Sequence, residues 1–166
     1  MVIRRWRHAN DVTAQQLADR VGMDLRQVQR FEGHEGNPTL DTLIRLSAAM
    51  GLGVAELVGA LEAEVYGVDG GAERGDGRAH DGGRNGHTDV GSAVANVAHA
   101  IRSRRSAREW TQTDLAEHAG LSRSKVQSIE TRRHAATLDT LDALADALDC
   151  GIVELLGDGD GRARER

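Results

Sequence analysis

Four basic residues lie close together between Leu121 and His134, where the chain carries a single acidic residue. The local net charge is +3, with histidine counted as neutral, although the whole 166-residue chain has a net charge of −5. A short segment enriched in Lys and Arg is typical of proteins that bind nucleic acids, because it neutralises phosphates and releases their counterions. The segment therefore indicates a contact with nucleic acid.

Residues that could perform other chemistry are not arranged for it. The histidines lack metal-ligand spacing, and Cys150 is the single cysteine, so we expect no zinc site. Asp69, Asp76 and Asp81 lie among glycines, but no acidic residue follows at the position that closes a calcium-binding loop. The sequence also lacks a phosphate-binding Gly-Lys-Ser/Thr motif and a nucleophile elbow. We expect no enzymatic activity and no cofactor, and no small-molecule site is evident.

The basic segment overlaps a pattern of two short helices joined by a tight turn, from Thr111 to Glu130. Ala116 is small enough to let two helices cross closely, and Gly120 suits a chain reversal that requires a positive φ. Thr111 and Ser122 each precede an apolar run, where a side-chain oxygen accepts from the free amides of a first helical turn. This pattern predicts a helix-turn-helix motif.

The first half of the chain repeats the second half at a shift of 98 residues, without a gap. The matches include the two turn glycines, Gly22 and Gly120, and the identical runs Thr39–Leu43 and Thr137–Leu141. An ungapped match of this length indicates the tandem duplication of one domain.

The segment between the copies differs in composition. Residues 67–89 are rich in glycine and show no apolar periodicity, which predicts a flexible linker. The predicted organisation is a first domain at 1–66, the linker at 67–89, a second domain at 90–156 and a disordered tail at 157–166. Helix 1 of the first copy has room only from Ile3 to His8, whereas its counterpart begins near Ser92. Either the domain tolerates a shorter helix, or the true N-terminus lies upstream of Met1.

The run from Leu115 to Glu130, followed by Thr137 to Leu156, resembles the Cro/repressor type of DNA-binding domain, also called the xenobiotic-response-element (XRE) family. The resemblance rests on the crossing alanine, the turn glycine and, at fixed spacing after it, Val126 and Glu130. It implies an all-α fold of two tandem five-helix bundles of the lambda-repressor-like helix-turn-helix type. In each bundle the third helix would enter the major groove of DNA.

The resemblance assigns base contacts to the start of the third helix and phosphate contacts to the helix ends around it. In the second domain, the implied DNA-contacting residues are Gln112, Ser122, Arg123, Ser124, Lys125, Gln127, Ser128, Arg132 and Arg133. In the first domain, they are Arg26, Gln27, Gln29 and Arg30. Arginine suits the major-groove edge of guanine, and glutamine suits that of adenine.

The first domain departs from the family pattern. Leu25 occupies the position of Arg123, and Ala14 occupies that of Gln112, which would bind a phosphate. Residues 23–36 carry a net charge of −1, against +3 for the matching residues of the second domain. An exposed leucine and added acidic residues oppose tight phosphate binding.

Direct DNA contact and dimerisation therefore both remain open for the first domain. Its predicted fifth helix has an apolar stripe through Leu57, Leu61 and Val65. This stripe suits either the core of the domain or an interface with a second copy of the chain.

Two carboxylates, Glu32 and Glu130, are expected to point into the bundles. In the family this residue pairs with an arginine of helix 1, and the matching positions hold Arg7 and Arg105, again 98 residues apart. The resemblance therefore implies the structural ion pairs Arg7–Glu32 and Arg105–Glu130.

These features favour a sequence-specific double-stranded DNA-binding transcriptional regulator, with repressor as the leading interpretation. Two unlike domains on one chain would form a covalent pseudo-dimer on an asymmetric site. The alternatives are a homodimer formed through the first domain, and a protein-interaction module of the antitoxin-like or co-regulator type. No apolar run approaches the roughly 20 residues of a membrane span, and no secretory signal is evident, so we expect a cytoplasmic protein.

Overall fold

The computed structural model describes residues 2–33, 35–66, 90–132 and 136–157. The predicted linker at 67–89 lies outside these ranges, as do residues 158–166 of the predicted tail. Gly157, which the sequence analysis assigned to that tail, is instead the last residue of a helix.

The described residues form ten helices, five in each domain, and this confirms the predicted fold class. The helices of the first domain are α1 (Val2–Ala9), α2 (Ala14–Val21), α3 (Leu25–Glu32), α4 (Leu40–Met50) and α5 (Val54–Tyr66). Those of the second domain are α6 (Val90–Ala107), α7 (Gln112–His118), α8 (Arg123–Glu130), α9 (Leu138–Ala147) and α10 (Ile152–Gly157). The sequence predicts the third helix of each domain, the recognition helix, at Leu25–Glu32 and at Arg123–Glu130, and the bounds of α3 and α8 confirm this.

Side-chain caps set the starts of these helices. Thr13, Thr111 and Ser122 are N-caps, and each side-chain oxygen accepts a hydrogen bond from the backbone N–H three residues later. Gln16 completes the capping box of α2, because its Oε1 accepts from the N–H of Thr13 at 2.8 Å. The helix-turn-helix elements are therefore delimited by local sequence.

The turn between the second and third helices has the same geometry in both domains. Gly22 and Gly120 have φ values of 71° and 62°, in the left-handed region predicted for Gly120. The next backbone N–H in each turn donates to the carbonyl of the crossing alanine, Ala18 at 3.0 Å or Ala116 at 2.8 Å. A residue with a Cβ would cost about 1–2 kcal/mol in this conformation, so glycine suits the turn.

Equivalent apolar residues form the core of both domains. Five positions in the second to fifth helices are completely buried in both copies: Leu17, Val28, Leu43, Leu46 and Leu57, with Leu115, Val126, Leu141, Leu144 and Leu155. Each such side chain contributes about 1.5–3 kcal/mol through burial. The valines hold α3 and α8 by one face, and the opposite faces can then carry polar residues.

The two domains contact each other through the segments that follow their recognition helices. Thr39 and Thr137 form an isolated antiparallel β-bridge. On either side of it, a backbone N–H of one domain donates to a carbonyl oxygen of the other: Leu40 to Ala136 at 2.8 Å, and Leu138 to Pro38 at 2.9 Å. Each of these hydrogen bonds is the equivalent of the other, because Leu40 matches Leu138 and Pro38 matches Ala136 in the 98-residue repeat. The domains are therefore related by an approximate two-fold axis through the bridge.

Helices extend this contact into one continuous apolar core. Helix α5 lies against α10, and α4 lies against α6. Leu57 and Leu61 of α5 are buried within the chain. The hypothesis that their stripe forms an interface with a second copy is therefore wrong for these two residues, because burial inside one chain already uses them. The side chain of Val65 lies outside the described residues.

The first helices of the two domains differ in length. Helix α1 has 8 residues and α6 has 18. The shorter helix is fixed to α5 by Glu64, which accepts from the N–H of Val2 at 2.8 Å and pairs with Arg5 at 3.2 Å. These contacts give α1 a defined position despite its length.

Among the described helices, none is long and apolar enough on its own to cross a membrane. Leu40–Met50 and Val54–Glu64 satisfy the length and composition of a span only when taken together, and they bend by 104° where they meet. In this fold Leu43, Leu46 and Leu57 from these two helices are buried in the core.

Candidate nucleic-acid interface

Helix α8 presents polar side chains on the face opposite the core. Arg123, Ser124 and Gln127 are exposed, whereas Val126 and Ile129 are buried. The guanidinium, hydroxyl and amide groups at these exposed positions all form hydrogen bonds with base edges in the major groove of DNA. The start of α8 is therefore open to a macromolecular partner.

Ser122 has a structural role at the start of the same helix. Its Oγ accepts from the N–H of Lys125 at 3.2 Å and lies 3.0 Å from the Oγ of Ser124. Because this hydroxyl caps the helix, an anion at this point would bind chiefly to the free N–H groups of the first turn. Lys125 and Ser128, two further predicted DNA contacts, are half-buried.

Glu130, the last residue of α8, connects the recognition helix to two other helices of the domain. Arg105 of α6 donates from Nε and Nη2 to the two carboxylate oxygens, at 2.7 and 3.1 Å. Its Nη1 donates to the carbonyl of Trp110 at 2.6 Å. Gln112 of α7 adds a bond from Nε2 to Oε2 of Glu130 at 2.8 Å. The Glu130 side chain is only 3% exposed, so the ion pair is buried and fixes α8 in place.

The first domain contains a simpler form of this network. Arg7 donates from Nε and Nη2 to Glu32, and its Nη1 donates to the carbonyl of Val12 at 2.9 Å. The hydrogen bond to the Glu32 carboxylate raises the pKa of Arg7, because it favours the charged guanidinium. Ala14 lacks the amide that Gln112 supplies in the second domain. Both ion pairs implied by the sequence are thus present, with unequal support.

The structure gives Gln112 a contact that the sequence analysis did not foresee. The residue is half-buried, and its amide donates to Glu130. It still occupies the first position of α7, where unpaired backbone N–H groups favour an anion. One amide N–H then remains for a phosphate, and this contact stays a prediction.

The segment after α8 carries further positive charge. Arg132 is exposed and has φ of 59°, a left-handed conformation that is uncommon for a residue with a side chain. It directly follows Thr131, the C-cap of α8. Arg133, the next predicted phosphate contact, lies outside the described residues.

Helix α3 presents a different set of side chains on the matching surface of the first domain. Arg26, Gln29 and Arg30 are exposed. The Nη2 of Arg30 donates to the carbonyl of Glu35 at 3.3 Å, near the end of the helix. This helix therefore also offers groups that bind base edges.

Two residues at the start of α3 differ from expectation. Gln27 belongs to a capping box, in which its Oε1 accepts from the N–H of Asp24 at 3.4 Å. Leu25 is half-buried, whereas the sequence analysis expected it to be exposed. Helical side chains point back toward the helix N-terminus, so the preceding turn covers part of Leu25.

An aromatic contact beside α7 was not predicted. The rings of Trp110 and His118 stack with centroids 4.2 Å apart and planes inclined by 19°. The guanidinium carbon of Arg108 lies 5.8 Å from the centre of the Trp110 ring, and its Nη2 donates to the carbonyl of Leu148. The only signal in the sequence is an aromatic residue, Trp110, before α7 and a histidine, His118, at the end of that helix. These contacts hold the turn before α7 against two helix ends.

Two family models match the chain. One, described as "Helix-turn-helix", covers residues 3–57, and another, described as "Helix-turn-helix domain", covers residues 97–156. A comparison with solved structures found no match.

Three relatives resemble parts of the chain. The immunity repressor protein of Bacillus phage phi105 is 40% identical over 62 residues, which are 37% of this chain and 43% of that protein. The control protein C.SmaI of Serratia marcescens is 38% identical over 60 residues, 36% of this chain and 71% of that protein. The cryptic phage CTXphi transcriptional repressor RstR of Vibrio cholerae is 34% identical over 53 residues, 32% of this chain and 47% of that protein.

The chain thus spans less than half the length of two of these relatives and most of the length of the third. The residues matched by the two family models, 3–57 and 97–156, include the buried Arg–Glu pairs and the recognition helices α3 and α8. The chain therefore belongs to the helix-turn-helix DNA-binding family of the Cro/repressor (XRE) type.

Proposed function

We propose that this chain is a sequence-specific, double-stranded DNA-binding transcriptional repressor that acts in the cytoplasm. The observation that carries the proposal is the exposed polar face of α8, which is held in place by the buried Glu130. The printed names of the relatives, two repressors and a control protein, support a regulatory role.

Base recognition would fall to the exposed side chains of α8. Arg123 at its first position suits the O6 and N7 atoms of guanine, and Gln127 suits the N6 and N7 atoms of adenine. Ser124 and Ser128 accept or donate with any base. Each good bidentate contact is worth about 1–3 kcal/mol of discrimination against a wrong base.

Phosphate contacts would surround this base contact. The N-termini of α7 and α8 carry free N–H groups, and Gln112 is the first residue of α7. Lys125, Arg132 and Arg133 supply positive charge around α8. Such contacts position the protein on the duplex without selecting a sequence.

The inter-domain bridge would let one chain present two recognition helices to one face of the duplex. The approximate two-fold axis through Thr39 and Thr137 is the symmetry with which dimers of this family bind half-sites about 34 Å apart. Here both halves belong to one chain, so DNA binding does not require a homodimer. The domains 1–66 and 90–156 would each contact one half-site.

The test is to select bound sites from a random duplex pool and then measure affinity for the selected site over a range of salt concentrations. Light scattering during size exclusion should give one chain per duplex. Arg132→Ala is expected to weaken binding to all sequences and to reduce the salt slope by about 1. Arg123→Ala should relax the preference at one base pair, by about 1–3 kcal/mol.

Arg45→Ala is the matched control. It removes the same charge from α4, where Arg45 is exposed and pairs with Asp41 at 2.9 Å. Two chains per duplex on a palindromic site would instead indicate a homodimer. If the wild-type chain selects no sequence and neither α8-region substitution changes DNA affinity, the proposal is wrong and a protein-interaction module becomes the better interpretation.

A further inference from the structure

The two recognition helices carry different side chains at matching positions. Relative to the 98-residue shift, Arg26 of α3 matches Ser124 of α8, and Arg30 matches Ser128. The resemblance places Ser124 and Ser128 among the base contacts, so the first domain has an arginine at each of two base-contact positions where the second domain has serine.

Both arginines face solvent on one side of α3. Arg26 and Arg30 are four residues apart, which puts them on the same face of a helix, and both are exposed. Val28 between them is completely buried, so the opposite face is fixed to the core. Their separation along the helix axis is about 6 Å at about 1.5 Å per residue, close to two base-pair steps of about 3.4 Å.

Positive charge around the recognition helix, in contrast, is greater in the second domain than in the first. Residues 23–36 of the first domain have a net charge of −1, whereas residues 121–134 of the second have +3. A surface with little net positive charge binds the phosphate backbone weakly, since each neutralised phosphate adds to affinity through counterion release. The first domain is therefore suited to base contacts without strong backbone contacts.

We propose that the two domains have different roles in DNA binding. Arg26 and Arg30 determine specificity for a half-site with two guanines about two base pairs apart. The second domain supplies most of the affinity for phosphates. The target would be a non-palindromic duplex bound by one chain. This inference rests on the proposed function, and it assigns base contacts to the first domain, for which the sequence leaves both DNA contact and dimerisation open. An arginine contacts the O6 and N7 atoms of guanine through two hydrogen bonds, whereas serine, the residue at both matching positions of α8, has no such preference.

The experiment repeats the site selection with two variants of the full chain. Arg26→Ser with Arg30→Ser gives α3 the residues that α8 has at the two matching positions. It should lose the preference for the two guanines, about 5- to 150-fold at each position, with the other half-site unchanged. The reciprocal variant, Ser124→Arg with Ser128→Arg, should add guanines to the other half-site. Circular dichroism and denaturation midpoints will show whether both variants remain folded.

A selected wild-type site with identical halves would overturn the inference, and so would unchanged guanine preference in the Arg26→Ser, Arg30→Ser variant. In either case the chain would still bind a defined sequence, and the proposed function would stand. If the wild-type chain enriches no sequence at all, the proposed function and this inference fail together. These results are distinguishable because wild type and variants are selected from the same pool.

Discussion

The two helix-turn-helix domains share their internal contacts but differ on their surfaces. The arginine of helix 1 bonds to the glutamate at the end of the recognition helix in both, and to the carbonyl two residues before the second helix. The exposed residues of α3 and α8 are much less alike. Contacts that survive duplication define what the fold needs, and positions that have diverged indicate where the two copies acquired separate roles.

The second domain has the more extensive set of supporting contacts. Gln112 bonds to Glu130, and Trp110 stacks on His118, whereas Ala14 and Val12 stand at the positions of Gln112 and Trp110 in the first domain. The domain with the more basic recognition segment, residues 121–134, is thus also the one whose recognition helix has more supporting contacts. Without these supporting contacts, α8 would shift when the domain binds the phosphates of a duplex.

The largest expected effect concerns the buried carboxylates. Glu130→Ala and Glu32→Ala should each lower the free energy of unfolding by about 3–5 kcal/mol, because a buried arginine loses its counter-charge. The cost should be greater for Glu130, since Gln112 also loses its acceptor. Urea denaturation of the full chain measures both values. Equal costs would mean that the Gln112 bond adds no stability to the second domain.

A smaller effect is expected at the contact between the domains. Asn37 Nδ2 donates to Asp139 Oδ2 at 2.7 Å, and its Oδ1 accepts from the N–H of Asp139 at 3.3 Å. The position of Asn37 is held by Ala135 in the second domain, so this contact has no symmetry mate. Asn37→Ala should cost about 1 kcal/mol.

Hydrogen exchange provides a local measurement of the same change. The amides of Leu40 and Leu138, which form the bridge, should exchange faster in Asn37→Ala than in the wild-type chain. Unchanged exchange would show that the bridge holds the domains together without help from this side chain.

The third prediction concerns pH at the α5–α10 contact. Burial raises the pKa of Glu62, while a hydrogen bond from the N–H of Ile152 acts in the opposite direction and Asp142 adds to the rise. Because the pKa is raised in the folded state, ionisation removes stability as the pH rises through it. Glu62→Gln should therefore raise the denaturation midpoint at pH 7 and change it little at pH 4. A lower midpoint at pH 7 would contradict this assignment.

The smallest expected effect distinguishes the capping box of α7 from the matching capping box of α2. The N–H and hydroxyl of Thr111 donate to Asp114 and lower its pKa, whereas the matching residue of the first domain, Gln16, does not titrate. The contribution of Asp114 is present above its unfolded-state pKa and disappears as the pH falls through the lowered value. A carboxyl titration by NMR should show Asp114 titrating below the usual range for aspartate. An ordinary pKa would mean that the cap is open in solution.

Much of this architecture could be predicted from the sequence because the signals are local. The bounds of α3 and α8 follow from N-caps and apolar spacing, and the φ of Gly120 follows from its place after the crossing alanine. The Arg105–Glu130 pair came from the family resemblance. Each of these features depends on residues within one small domain.

The contact between the domains could not be predicted in the same way. The bridge uses backbone groups of Pro38, Leu40, Ala136 and Leu138, and backbone groups have no side-chain signature. Gln112 likewise has two partners compatible with its position, a phosphate and Glu130, and its bond to Glu130 becomes visible only in the folded structure. The half-burial of Leu25 depends on the direction of one side chain, which spacing alone does not determine.

The bridge at Thr39 and Thr137 has a consequence for dosage. When a repressor that dimerises from free subunits is dilute, the concentration of its active dimer falls with the square of the subunit concentration. For a chain that already contains both halves, the concentration of the active species falls only in direct proportion to the chain concentration, because each domain has its partner at high effective concentration. Under the proposed function, with one chain bound per operator, operator occupancy should therefore decline gradually, without a threshold, as the protein is diluted by cell growth.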